Sequence, residues 1–150
     1  MATYNPSDLL KPAHSQAFGN RDVYTGKCVI ATDVANADVM NLAMVPAGTL
    51  VDRVVIKVPD LDSSTVLTAK IGFAPSDGSA APSDMASADV AVAASGAWAR
   101  AAATTTYEIF PPYKVTVDSY LQVVATHATT GSSGGGTVYG KVEGEGLGAK

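Results

Sequence analysis

Few residues in this chain have a type and spacing suited to chemistry. There are two histidines, His14 and His127, more than a hundred positions apart and without the spacing of a metal-ligand pair. Cys28 is the single cysteine, so no internal disulfide can form, and it sits in the apolar run Cys28-Val29-Ile30-Ala31. That setting suits a small buried thiol better than a nucleophile, which needs a histidine close in space. Asp60 and Asp62, followed by Ser63 and Ser64, offer alternating oxygen ligands of the kind calcium takes. They lack the glycine and the terminal glutamate of a calcium loop, and an Asp/Ser turn needs no metal. The same carboxylates could serve as glycosidase acid and base, but the sequence around them offers few aromatic platforms for a sugar. Gly134-Gly135-Gly136 opens no helix and reads as a hairpin loop rather than a phosphate cradle. Ser119-Tyr120 lacks the elbow pattern of a nucleophilic serine. Trp98 and the six tyrosines could stack a carbohydrate, yet such rings more often fill a core or an interface. No catalytic set, metal site or cofactor site emerges, and the expectation is a binding protein rather than an enzyme.

The composition agrees with that reading. A chain of 150 residues fits one domain and can bury roughly 68–70% of its unfolded surface. Apolar residues make up 47%, while charged residues are 16%, below the usual ~25%. A poorly charged surface suits a protein partly covered by neighbours. The net charge of −4, with basic residues scattered singly, argues against nucleic-acid binding. No stretch approaches the ~20 apolar residues of a helical membrane span. Met1 to Lys11 lacks the pattern of a secretory signal, so synthesis and folding in a cytoplasm are expected.

The elements that must carry any site read as strands. Residues 1–20 hold Pro6 and Pro12 and no periodicity, and are expected to form an extended arm outside a single domain at 21–150. Tyr24, Gly26 and Cys28 alternate with Val23, Thr25 and Lys27, and a second apolar run spans Val39 to Val45. Pro46-Ala47-Gly48-Thr49 is a tight connection. Leu50 to Val58 is the clearest strand, with Val51, Arg53, Val55 and Lys57 on one side and Asp52, Val54, Ile56 and Val58 on the other. Further strands are expected at Thr65–Phe73, Thr104–Phe110, Tyr120–Thr126 and Thr137–Glu145, with Tyr113–Val117 extended and Ala86–Ala94 ambiguous. About eight strands and no long helix predict an all-β sandwich, jelly-roll or Greek-key-like.

Three stretches carry a likeness to a known family. They are the opening Leu10-Lys11-Pro12-Ala13-His14-Ser15-Gln16-Ala17-Phe18-Gly19-Asn20, the segment from Val45-Pro46-Ala47-Gly48-Thr49-Leu50 through Ala69-Lys70-Ile71-Gly72-Phe73, and the ending Val142-Glu143-Gly144-Glu145-Gly146-Leu147-Gly148. Together the chain resembles decoration (cement) proteins of tailed-bacteriophage capsids. The resemblance implies a virion protein made in the bacterial host cytoplasm, bound to the outer surface of the major capsid protein lattice, commonly as a homotrimer. Its partners are then the major capsid protein and copies of itself. A shell clamp also needs an arm that reaches across a subunit boundary; Pro6 to Phe18 is expected to be that arm, with Leu9, Leu10 and Phe18 as anchors, and Trp98 with the alanines around it is expected to line a contact between copies. A tail, baseplate or head-fibre component of the same virion, and a carbohydrate-binding β-sandwich module, are the alternatives.

Overall fold

The computed structural model describes residues 3–4, 21–30, 34–59, 69–78, 83–84, 105–109, 113–126 and 136–146. Ten strands run through them: β1 Thr3–Tyr4, β2 Arg21–Ile30, β3 Val39–Val45, β4 Thr49–Val58, β5 Ala69–Pro75, β6 Ser83–Asp84, β7 Thr105–Ile109, β8 Tyr113–Lys114, β9 Ser119–Ala125 and β10 Gly136–Gly146. They form two sheets. Sheet A has the order β1-β3-β9-β5-β6, and sheet B the order β2-β10-β4-β7 with β8 added beside β4. The expected all-β sandwich is what the described residues form.

The pairings identify the kind of sandwich. Antiparallel partners are β2 with β10, β3 with β9, β4 with β7, and β5 with β6. That is one long hairpin of four strands against four. Rolled up, it brings β10 beside β4 and β9 beside β5, which closes the two sheets. Eight strands wound this way make a jelly roll. β1 is an addition, a short parallel strand beside β3, so Thr3 and Tyr4 of the expected arm lie along the edge of sheet A.

Alternation explains the core. β2 turns Tyr24, Cys28 and Ile30 inward, β9 turns Leu121, Val123 and Ala125 inward, and β10 contributes Val138 and Val142. Against them pack Met40, Leu42, Val54, Ile56, Ile71 and Phe73, all almost fully buried. Phe73 stacks on Tyr113 with ring centroids 5.2 Å apart. The Pro46–Thr49 connection works as its residues suggest. Gly48 takes φ 86°, the Thr49 hydroxyl donates to the Pro46 carbonyl at 2.9 Å, and the Ala47 amide donates to Asp118 at 2.8 Å.

One sequence expectation needs correction. The partners of β10 on β4 step from Glu143↔Arg53 to Gly144↔Val51, which leaves Asp52 as an extra residue. This β-bulge shifts the phase of β4. Val51 is therefore fully buried while Asp52 is exposed, the reverse of strict alternation from Val58 backwards. A second bulge lies in β3, where Leu42 and Ala43 together oppose one stretch of β9 between Asn41 and Met44. Both are buried, which accounts for the unbroken apolar run there.

Candidate docking surface

The residues favoured from sequence are mostly beyond reach. Leu9, Leu10, Phe18 and Trp98 lie outside the described residues, as do His14, His127 and Asp60 to Ser64. Cys28 is described and fully buried, and burial pushes its thiol up to about 11. At neutral pH it is therefore an inert thiol in the core. Among the described residues no group of three His, Cys, Asp or Glu side chains is placed to hold a metal ion, and no helix is long and apolar enough to cross a membrane. What the structure offers instead are two outer sheet faces of different character.

Among the described side chains the outer face of sheet A is nearly uncharged. Its outward rows are Val39, Asn41 and Met44 on β3, Tyr120, Gln122 and Val124 on β9, and Lys70, Gly72 and Ala74 on β5. Gln122 donates a 2.9 Å hydrogen bond to Asn41 directly across the strands. Lys70 is the single charge among these nine positions.

The outer face of sheet B is charged and begins at the bulge. Arg21 reaches Asp52 at 2.9 Å and Glu143 at 3.4 Å, Arg53 reaches Glu143 at 3.3 Å, and Lys141 also pairs with Glu143. Glu143 is therefore the anion at the centre of three cations. The Lys141 hydrogen bond, with the Lys141 and Arg53 charges, holds its carboxyl below the usual range, against the opposing effect of burial. A carboxyl with a lowered folded pKa stabilises the fold above its unfolded pKa. That contribution is lost as pH falls through the folded value. Glu143→Gln should accordingly lower the melting temperature at pH 7 by a few degrees, on the order of 1 kcal/mol for a partly exposed network. In thermal melts from pH 7 down to pH 2, the gap to the parent should narrow below about pH 4. A gap independent of pH would mean that Glu143 acts through packing and not through its charge.

Beyond the network the same face opens into a depression lined by Thr25, Val55, Lys57, Tyr139, Gly140 and Lys141. The register builds it. Tyr139 stands opposite Lys27 on one side and Lys57 on the other, and Lys141 stands between Thr25 and Val55 in the next row. Tyr139 is 49% exposed, and Val23 and Val29 on neighbouring β2 are 46% and 52% exposed. Sequence reading missed this cluster. Period-two alternation already puts Tyr139 and Lys141 on one side of β10, but only the pairing of strands far apart in the chain brings Lys57 and Thr25 alongside.

No protein-family model matches the chain, and no curated protein matches it. Solved structures do. A chain of the Ralstonia phage GP4 capsid superposes with a TM-score of 0.65 at 14% identity, over 99% of this chain and 100% of that one. A chain of the cyanophage Pam1 capsid asymmetric unit superposes with a TM-score of 0.58 at 17% identity, over 93% of this chain and 94% of that one. What they share is the fold. At such identities the likeness extends to the course of the backbone and leaves the surface chemistry to each chain.

Proposed function

We propose that this chain is a structural protein of a phage particle, which binds the outer surface of the major capsid lattice and stabilises the head through protein–protein contacts. The observation that carries the reading is the end-to-end agreement in fold with chains of two phage capsids, each covered over nearly its whole length. A jelly roll with a packed core gives such a clamp a rigid body, and its broad sheet faces give it area to bury. In this reading the chain does no catalysis and needs no cofactor. Leu9, Leu10 and Phe18 anchor an N-terminal arm on a neighbour, Trp98 sits between copies of a trimer, and the protein is made in the host cytoplasm before it joins the capsid surface.

Co-sedimentation of the purified protein with expanded capsids from its own source, quantified per major capsid subunit, tests the proposal. Saturable binding at a fixed ratio is expected, and the ratio gives the lattice positions filled. Absence of binding to intact shells would overturn the capsid reading in favour of a tail or fibre component.

A further inference from the structure

Among the described side chains the two faces of the roll differ in charge. The outward positions of β2, β4 and β10 carry Arg21, Lys27, Arg53, Lys57 and Lys141 against Asp52, Glu143 and Glu145, on a chain whose net charge is −4. An acidic protein that gathers cations on one face presents a surface complementary to an anionic partner. Within that face the Tyr139 depression adds an apolar lining of Val55 and the Tyr139 ring, beside Lys57 and Lys141.

We propose that the Tyr139 depression docks an acidic protein segment, which seats an apolar side chain against Tyr139 and Val55 and sets a carboxylate against Lys57, Lys141 being already held by Glu143. The inference rests on the capsid reading, which makes the segment part of the shell surface, and it names the face that meets the shell. Two other ligand classes fit less well. A sugar ring needs several convergent hydrogen-bonding groups, and the lining offers little beyond the Thr25 hydroxyl, the Tyr139 phenol and the ammonium groups. A nucleic acid, whose phosphates run on past the depression, would also meet Glu143 and Glu145 further along β10, which a short protein segment seated on Tyr139 and Lys57 need not reach. A protein segment with separated carboxylates avoids both difficulties. Tyrosine is also among the residues that most often anchor protein interfaces.

The test is co-sedimentation with expanded capsids across a salt series, using the full chain and three variants. Lys57→Glu and Tyr139→Ser alter the depression, while Lys70→Glu makes the same charge change as the first on the opposite sheet. Lys57→Glu and Tyr139→Ser are each expected to weaken binding tenfold or more, with Lys70→Glu close to the parent. Parent binding should fall as salt rises from 50 to about 300 mM, and Lys57→Glu should flatten that dependence. Thermal melts establish that each variant is folded. If Lys57→Glu is not, Lys57→Gln replaces it, with a smaller loss expected. Parent-like binding by both depression variants overturns this inference and leaves the capsid reading standing. Failure of the parent itself to bind overturns the capsid reading, and the inference falls with it.

Discussion

Gly26→Ala should be the most damaging single-methyl change in the described part of the chain. A Cβ at Gly26 would lie 1.8 Å from the Leu42 carbonyl oxygen, 2.7 Å from its carbon and 3.2 Å from the Ala43 Cα. All three are backbone atoms of β3, which is tied to β9 on one side and to β1 on the other. No rotamer change can relieve the overlap, so β2 and β3 must separate at this close contact between the two sheets. Ordinary overpacking costs about 1–3 kcal/mol, and a clash with a hydrogen-bonded backbone belongs at or beyond the top of that range. For a domain stable by roughly 5–15 kcal/mol, this is a large fraction of the total.

Two comparators make the expectation specific. At Gly140 the added Cβ meets side-chain atoms, Leu42 Cβ at 2.7 Å and methyls of Leu121 and Leu42 at 3.0 Å, and the methyls can yield. At Gly78 nothing lies within 4 Å, and only the φ of +71° opposes a side chain, a cost of roughly 1–2 kcal/mol. Urea denaturation of the three alanine variants should order them Gly26, Gly140, Gly78 from most to least destabilised. A Gly26→Ala midpoint equal to that of Gly78→Ala would show that the sheets do not meet at Leu42.

The fold was legible because its strands obey a local rule. Tyr24, Cys28 and Ile30, or Val138 and Val142, announce an inward face from sequence alone, and Pro46-Ala47-Gly48 announces its turn. The bulge at Asp52 was not legible, since an extra residue exists only relative to the partner strand β10, about ninety positions away. The depression escaped notice for the same reason. Lys27, Lys57, Tyr139 and Lys141 are unremarkable in their own segments, and only the rolled hairpin sets them side by side. The stretch from Val45 to Phe73, which carries much of the family resemblance, takes in the end of β3, its turn, β4 and part of β5. Its described part is mostly scaffold, although Val55 and Lys57 of β4 also line the depression. The anchors expected from sequence, Leu9, Leu10, Phe18 and Trp98, belong to segments outside the described residues, so the sequence and the structure point to different parts of one surface problem.

The second large effect is expected at Phe73, the last residue of the strand expected at Thr65–Phe73. Phe73 is 2% exposed, is paired with Leu121 in the register of β5 and β9, and stacks on Tyr113 at an interplanar angle of 12°. Tyr113 belongs to β8, which pairs with β4 in sheet B, so this contact joins the two sheets from within. Phe73→Ala removes the ring from both, at a cost of about 3–5 kcal/mol from lost burial and the cavity left behind. At roughly 2–4 °C per kcal/mol for a chain of this size, the melting temperature should fall by about 10 °C. Phe73→Leu keeps most of the volume and should recover the greater part of that loss, leaving a deficit near 1.5 kcal/mol that includes the aromatic pairing. Tyr113→Leu should then cost little more in a Phe73→Leu background, because the stacking it would break is already gone. If the two changes were simply additive in denaturation experiments, the rings would not be coupled. Shared packing across the sheets would then have to come from Leu42 and its neighbours, at the point where Gly26 and Gly140 let the sheets close.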